Sequence, residues 1–247
     1  MSSLVKLHFE DNNVAYITIS NNPVNALSKQ LVNDLMATLK KVDIDNKINA
    51  LILKSDTPNF CAGADLKERA CMSNNEVIDT INSINDCFDF LASLKIITIA
   101  AMNGAALGGG AELGLCCDFR IGTINSIVGF PEVSIGIIPG AGGTYRLPRT
   151  IGVSKAKYWI LSSRKFTGDE ALEDGYFDFI SEEEDLLEAA IDLADEITSN
   201  SKISIIQGKA AIDNFDSKSL RSREMEFYKK TLLSKERKEF LEKFRKL

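Results

Sequence analysis

The chain has 247 residues, of which 45% are hydrophobic and 26% charged, and a formal charge of −6. This length is sufficient to enclose one large core, and the composition is typical of a globular protein. The acidic balance argues against a nucleic acid backbone as the main partner, because phosphate binding needs a clustered positive field.

The cysteines and the N-terminal sequence indicate a compartment. The five cysteines form no CxxC pair and no even-numbered framework, so neither a disulfide scaffold nor a zinc site is predicted. The start MSSLVKLHFE has no long apolar stretch after basic residues, and no apolar run approaches the length of about 18 that spans a membrane. We therefore expect a protein of the reducing cytoplasm, without a metal and without a membrane partner.

The first elements form a predicted hairpin. Apolar and polar residues alternate over 5–9, and the apolar stretch 14–19 follows the Asp11-Asn12-Asn13 turn as its partner strand. The only histidine, His8, falls on the outward side of the first strand. A solvated position for His8 is therefore favoured over a catalytic one.

Helices and buried strands alternate in the next part of the chain. Apolar residues at helical spacing predict one helix from Leu31 to Val42 and another from Val77 to Leu91. Short apolar runs at 50–53 and 96–101 are typical of strands buried on both faces. Such alternation implies parallel crossovers, so we predict an α/β core.

Glycine-rich segments interrupt the pattern after that second strand. The stretch 104–110 ends the strand and opens a helix that we predict to run through Cys117. Further on, the patterns predict short strands at 119–121 and 127–130, and helices at 154–162 and 167–174. From about Glu182 the strand signals stop, and helical spacing continues toward the C-terminus.

Two glutamates lie in apolar surroundings. Glu112, in GGGAELGLCC, falls on a helix that should be largely buried, where an ionisable group is costly unless it is paired or used. Glu132, in GFPEVSIGIIPG, directly follows a strand end, where α/β folds commonly place functional groups. The alternative for Glu112 is a structural role, in which its buried carboxyl is hydrogen-bonded by an amide or an arginine. The alternative for Glu132 is that of a loop carboxylate or a helix cap. With no plausible histidine base, two carboxylates in different environments could divide acid and base roles.

Two further segments could bind a ligand. The glycines 108–110, at a strand-to-helix turn, offer free amides suited to an oxyanion or a phosphate, although glycines in tight turns are also routine structural devices. They lack the spacing of a dinucleotide fingerprint and the Gly-Lys-Ser/Thr of a phosphate-binding loop. In the loop FCAGADLKERA, Cys61 has no adjacent base, so a packing role is favoured over a nucleophilic one.

Taken together, segments through nearly the whole chain resemble the crotonase, or enoyl-CoA hydratase/isomerase, superfamily, in family order. These segments are NNPVNALS, FCAGADLKE, NGAALGGGAELGLCCDFRI, FPEVSIGIIPGAGGTYRLPR and FLEKFRK. The resemblance implies an α/β fold in which residues 1–185 form a catalytic spiral of ββα repeats. It also implies that helices in residues 186–247 assemble homotrimers, often paired into homohexamers.

The resemblance further implies an active site. Ala64 and Gly109 match positions whose backbone N–H groups polarise a thioester carbonyl. Glu112 and Glu132 match the two glutamates with which hydratases jointly hold a water, and Glu132 is expected to supply the proton to C2. Enoyl isomerases typically keep a carboxylate matching Glu132 and lack the one matching Glu112, so the presence of both favours a hydratase.

Contacts with coenzyme A are implied as well. Ala62 and Lys67 resemble positions near the adenine and the 3′-phosphate, and Leu27 resembles one on the adenine side of the pocket. Phe240 and Lys243 match a C-terminal element that, in the family, can reach the coenzyme A of a neighbouring subunit. We therefore expect an acyl-CoA thioester as substrate and no separate cofactor, because coenzyme A is part of the substrate.

The expected reaction is reversible hydration of a trans-2-enoyl-CoA to a 3-hydroxyacyl-CoA. The stretches GADLKERACMS and RLPRTIG are particularly similar to the methylglutaconyl-CoA hydratase branch, some of which also binds AU-rich RNA. Hydration of 3-methylglutaconyl-CoA is therefore the first alternative, followed by isomerisation and by a non-catalytic acyl-CoA or RNA-binding module. A solvated helix face explains the lysines of the first helix without RNA.

Overall fold

The computed structural model describes residues 3–9 and 13–213. The chain divides into two compact units, Met1–Asp192 and Leu193–Leu247. No helix among the described residues is long and apolar enough to cross a lipid bilayer.

The predicted hairpin is confirmed. Strand β1, Val5–Phe9, pairs antiparallel with β2, Val14–Ile19, whose six residues are all buried. The exposed His8 ring stacks on the Tyr16 ring, with their centroids 4.8 Å apart. His8 thus lies on the outer side of the hairpin, as its position in the alternating pattern predicts.

The predicted alternation of helices and buried strands is confirmed in the next segment. Its elements are α1 (Lys29–Ile44), β3 (Ala50–Ser55), α2 (Leu66–Ala70), α3 (Asn74–Ala92) and β4 (Ile97–Met102). Helix α1 begins where the Ser28 side chain accepts a hydrogen bond from the Leu31 N–H, and α3 begins at a capping box of Ser73 and Glu76. Both helices bury their apolar stripe.

The glycine-rich segment differs from its prediction. Residues Ala105–Leu107 form a short strand, β5, and the helix that follows, α4, spans only Gly109–Gly114. The prediction of a helix through Cys117 is wrong, because the N–H groups of Cys116 and Cys117 donate to carbonyls three residues back, Leu113 and Gly114. This tighter turn ends the α-helical pattern and leads into the next strand.

The remaining elements include several that the sequence patterns did not predict. Strands β6 (Phe119–Thr123) and β7 (Ile127–Gly129) precede a 3₁₀ helix at Pro131–Ile135. Then come α5 (Gly143–Ile151), α6 (Val153–Ser162), β8 (Lys165–Thr167), α7 (Gly168–Asp174) and β9 (Phe179–Ser181). The capping box of α7, formed by Thr167 and Glu170, was predicted, whereas α5 was not, because it contains Pro148 and starts in a glycine run.

The strands form two sheets. The larger has the order β1-β2-β3-β4-β6-β9, parallel from β2 onward, and the smaller has the order β5-β7-β8. Successive strands alternate between the sheets: β4 lies in the larger and β5 in the smaller, and the same holds for β6 and β7. Isolated bridges, Leu27 with Ala64 and Cys61 with Ala106, join the corresponding loops of the earlier turns. This is the expected spiral of ββα repeats.

The C-terminal region is helical as far as it is described. Helices α8, Leu186–Thr198, and α9, Lys202–Asp213, follow the last strand. Residues 214–247 lie outside the described residues. The proposed boundary at residue 185 and the assembly role of this region stay predictions.

Candidate active site

A cavity of about 840 Å³ lies in the first unit. This volume is within the range of about 300–1,000 Å³ that small-molecule sites commonly have. Among its described lining residues, Arg69, Glu112 and Glu132 are ionisable, and all the others are apolar or glycine. The cavity is therefore an apolar space with three charged or titratable groups in its wall.

The two amides predicted to polarise a carbonyl both lie in this wall. Ala64 lies in the loop between β3 and α2, and Gly109 is the first residue of α4. A Cβ placed on Gly109 would lie 3.8 Å from the Ala64 nitrogen. Neither N–H donates to a backbone carbonyl within the described residues. Two uncommitted amides from distant parts of the chain thus lie side by side on the cavity.

Glycine is required at two positions beside these amides. Gly63 has φ +87°, and a Cβ there would meet the Leu107 carbonyl oxygen at 2.5 Å. Gly108 has φ +52°, and a Cβ there would lie 2.6 Å from Glu132 Oε1. The positive φ and the close contacts exclude larger residues at both positions without displacement of the site.

Glu112 is held rigidly in the wall. Its side chain comes from α4, and the residue is only 3% exposed. Its Oε1 accepts two hydrogen bonds, each 2.8 Å, from the N–H groups of Ala141 and Gly143. Burial raises the pKa of Glu112, while these two N–H groups and the charge of Arg146 act to lower it. The carboxyl is therefore oriented by amides, yet it lines the cavity.

Glu132 has a different environment. It lies in the 3₁₀ helix directly after β7 and is 8% exposed. Its Oε2 is buried and has no hydrogen-bond partner among the residues that the structure describes. Burial raises the pKa of Glu132 to about 7, and the nearby charge of Glu112 contributes in the same direction. Near neutral pH, Glu132 can therefore carry a proton and release it.

Arg69 was missed by reasoning from the sequence. It lies on α2, half-buried, in the wall of the cavity, and its charge lowers the pKa values of both Glu112 and Glu132. No hydrogen bond or ion pair to its guanidinium is found in the described part of the chain. The signal that could have revealed it is an arginine just beyond the CAGAD segment, on the same short helix as Lys67.

Only some of the residues expected to contact coenzyme A line the cavity. Leu27 and Ala62 line the cavity, whereas Lys67 is exposed and is not among the lining residues. Phe240 and Lys243 lie outside the described residues. Their contacts with coenzyme A therefore stay predictions.

Two other kinds of site were considered in the sequence. Burial raises the pKa of the Cys61 thiol to about 12, so the thiolate that a nucleophile needs is not formed near neutral pH. Cys61 is therefore a packing residue. Within residues 3–9 and 13–213, no group of three or more His, Cys, Asp or Glu side chains could hold a metal ion.

Comparisons with known proteins identify the family of the chain. A family model described as enoyl-CoA hydratase/isomerase matches residues 10–246. The chain is 38% identical to the Bacillus subtilis protein YngF over 250 residues, which cover 99% of this chain and 96% of that protein. It is 39% identical to human mitochondrial methylglutaconyl-CoA hydratase over 214 residues, covering 83% of this chain and 63% of the human protein.

A solved structure is similar over almost the full length. The crystal structure of an enoyl-CoA hydratase from Bacillus anthracis superposes with a TM-score of 0.94 at 36% sequence identity. The match covers 98% of this chain and 96% of that one.

Proposed function

Because the chain belongs to the enoyl-CoA hydratase/isomerase family, we propose that it adds water reversibly across the 2,3 double bond of a trans-2-enoyl-CoA. The product is a 3-hydroxyacyl-CoA. The observation that carries this proposal is one apolar cavity whose wall holds two uncommitted amides and two glutamates in unlike environments.

The amides would stabilise the charge that develops during addition. When water attacks C3 of a conjugated thioester, electron density moves to the carbonyl oxygen and an enolate forms. Donation from the Ala64 and Gly109 N–H groups to that oxygen would contribute roughly 3 kcal/mol per donor, as in other oxyanion holes. Both amides are placed by the fold before the substrate binds, so little reorganisation is needed.

The two glutamates would hold the water and divide the proton transfers. Glu112, whose carboxylate form is favoured by two N–H donors, suits the removal of a proton from the water that attacks C3. Glu132, with a pKa of about 7, suits delivery of a proton to C2 of the enolate. The hydroxyl group ends on C3 and a hydrogen on C2, and proton exchange with solvent then returns Glu112 to the carboxylate and Glu132 to the acid. Running backwards, the same groups dehydrate the product.

An acyl chain that carries a carboxylate is a second candidate substrate, as in 3-methylglutaconyl-CoA. Arg69 favours it, because a cation that has no partner among the described residues and lies in an apolar cavity is well suited to an anionic group on the bound ligand. The similarity to human methylglutaconyl-CoA hydratase supports the same substrate class.

The assembly and the cofactor requirement are proposed from the family resemblance. We propose a homotrimer or homohexamer of the 27.2 kDa chain, which light scattering can test, and no cofactor apart from the coenzyme A of the substrate. We also propose a cytoplasmic location.

Hydration of crotonyl-CoA by the wild type, Glu112→Gln and Glu132→Gln tests the proposed function. Each change should lower kcat by at least about a hundredfold, because each removes one proton-transfer group. Glu183→Gln, which changes an exposed glutamate outside the cavity, is the matched control and should keep full activity. Near-wild-type hydration by both cavity variants would contradict the proposal.

A further inference from the structure

Residues of helix α3 bond, directly or through Arg146, to the loop whose amides bind Glu112. Residues 140–143 of this loop comprise the end of the segment after the 3₁₀ helix and Gly143, the first residue of α5, and they supply both N–H groups that reach Glu112 Oε1. The carbonyl oxygens of the same residues have other partners.

The first peptide unit of this loop is held on both sides. The Gly140 carbonyl belongs to the same peptide plane as the Ala141 N–H that donates to Glu112. Asn85 Nδ2, from α3, donates to the Gly140 oxygen at 2.8 Å. Because a trans peptide is planar and its C=O and N–H point in opposite directions, a bond to the oxygen orients the N–H. Asn85 thereby aims the Ala141 amide at Glu112.

The next two peptide units are held by Arg146. Its Nη1 donates to the Ala141 oxygen at 3.1 Å, and its backbone N–H donates to the Gly142 oxygen at 2.8 Å. The Gly142 carbonyl shares its peptide plane with the Gly143 N–H, the second donor to Glu112. The Gly143 amide is therefore fixed by the main-chain N–H of Arg146, and the Arg146 side chain holds the Ala141–Gly142 peptide that lies between the two amides on Glu112.

Arg146 is in turn anchored to the same helix as Asn85. Its Nη2 contacts Asp89 Oδ1 at 2.5 Å, and the Arg146 side chain is 12% exposed against 62% for Asp89. Asn85 and Asp89 are four residues apart and so lie on one face of α3. That face reaches the loop at two points, directly through Asn85 and through Arg146.

We propose that Asn85 and the Arg146–Asp89 pair form a clamp that holds the 140–143 loop, so that its amides keep Glu112 in the orientation needed to activate water. These are positioning residues, since they act through the loop. The inference rests on the proposed hydration, in which Glu112 takes the proton from water.

The charges around Glu112 give the clamp a measurable consequence. Arg146 from α5 and Arg69 from α2 favour the carboxylate of Glu112, and the charge of Glu112 in turn raises the pKa of Glu132. Cys116 and Tyr176 also lie within electrostatic reach, but burial raises their pKa values well above neutrality, so they are uncharged. If the clamp is loosened, the carboxylate loses hydrogen bonds and the pKa of Glu112 rises. The acid limb of the kcat profile then moves to higher pH.

The test compares Asn85→Asp and Asn85→Gln with wild type in crotonyl-CoA hydration. Asp places a carboxylate against the Gly140 carbonyl, and we expect kcat to fall about tenfold, the equivalent of one lost hydrogen bond to a charged group, with KM nearly unchanged. The acid limb should shift upward. Asn85→Gln keeps an amide donor, so its kcat and the pH of its acid limb should lie between those of Asn85→Asp and wild type. Asn82→Asp, at an exposed site on the same helix, adds the same charge away from the loop and should resemble wild type.

A second pair of variants separates charge from hydrogen bonding. Arg146→Gln should move the acid limb to higher pH, and Arg146→Lys should move it less. Arg164→Gln, which removes an arginine paired with Glu170 outside the cavity, is the control. A merely structural role would lower the melting temperature and reduce kcat by one factor at every pH. That result, or a wild-type kcat and acid limb in Asn85→Asp, would overturn the proposal.

A measurement without substrate tests the clamp independently of the proposed reaction. Carboxyl ¹³C NMR of glutamate-labelled protein, with the Glu112 signal assigned through Glu112→Gln, reports its titration directly. A higher Glu112 pKa in Asn85→Asp supports the clamp even if no enoyl-CoA is hydrated, and an unchanged titration contradicts it even if hydration is found.

Discussion

Glu112 and Glu132 have the same carboxyl group but unlike surroundings. One oxygen of Glu112 is bonded to two amides, whereas one oxygen of Glu132 is buried without a partner among the described residues. Amide donors stabilise a negative charge, and an unpartnered buried oxygen disfavours one. The surroundings of each carboxyl, rather than its residue type, therefore suit Glu112 to act as the base and Glu132 as the acid.

The raised pKa of Glu132 predicts how its burial affects stability. Its pKa rises from 4.5 to about 7 on folding, so the folded state binds this proton more tightly than the unfolded chain. The stabilising contribution is fully present below pH 4.5 and is lost as the pH rises through about 7. At higher pH, the buried charge should cost up to about 3 kcal/mol relative to the protonated form.

Urea unfolding at pH 5 and pH 8.5 measures this contribution. Between these two pH values, the free energy of unfolding should fall less in Glu132→Gln than in wild type, by up to about 3 kcal/mol. Glu183→Gln, at an exposed position, should follow the wild type. Equal pH dependence in Glu132→Gln and wild type would show that Glu132 is not protonated by burial.

The sequence neighbours of the two glutamates predicted their burial but not their partners. Apolar residues flank each of them, so a buried carboxyl is expected at both positions. The amides that bind Glu112 come from Ala141 and Gly143, 29 and 31 residues further along the chain. Such partners depend on the tertiary fold, and no local pattern encodes them.

At the scale of elements, the site depends on very short strands. Strand β5 has three residues, and it sets the start of α4 and therefore the positions of Gly109 and Glu112. Three residues are too few to show an alternating pattern, and β5, β8 and β9 were not predicted, whereas the equally short β7 was predicted from the stretch 127–130. They are strands because other strands pair with them. The helices α1 and α3 were predicted because their helical spacing of apolar residues extends over several turns. Strand β4 was predicted because an apolar run covers nearly all of it.

The turn between β5 and α4 gives a prediction at this scale. In Gly108→Ala, the new Cβ would lie 2.6 Å from Glu132 Oε1, so the carboxyl must move. We expect kcat for crotonyl-CoA to fall at least about tenfold, since a small displacement of a proton-transfer group costs much of its effect.

Gly152→Ala provides the matched control for Gly108→Ala. Gly152 also has a positive φ, +83°, but a Cβ there would meet nothing within 4 Å. Both variants should therefore incur backbone strain, of about 1–3 kcal/mol each, but only Gly108→Ala should lose activity. An equal loss of kcat in both variants would show that strain, and not contact with Glu132, is responsible.

At the scale of the whole molecule, the alternation of helices and buried strands predicted an α/β core, and the family resemblance predicted its spiral form. The division of successive strands between two sheets could not be derived from the pattern alone, because buried strands of both sheets have similar composition. The spiral brings Ala64, Gly109, Glu112 and Glu132 to one cavity although they are far apart in the chain.

The single cation of the described cavity wall predicts substrate preference. Arg69→Gln should lower kcat/KM for 3-methylglutaconyl-CoA about ten- to hundredfold more than for crotonyl-CoA, because only the first carries a carboxylate for Arg69 to bind, whereas the loss of its charge near Glu112 and Glu132 affects both thioesters. Arg164→Gln, outside the cavity, should change kcat/KM for neither thioester. If Arg69→Gln lowers kcat/KM equally for both thioesters, Arg69 does not bind the acyl chain.

Proton exchange at C2 of a saturated acyl-CoA in D₂O tests the central claim, the division of roles between the two glutamates, most directly. Butyryl-CoA has no double bond to hydrate, so exchange needs only the amides of Ala64 and Gly109 and a group that moves the C2 proton. NMR should show deuterium incorporation by wild type and by Glu112→Gln, and a loss of at least about a hundredfold in Glu132→Gln. Exchange that persists in Glu132→Gln but disappears in Glu112→Gln would contradict the assignment.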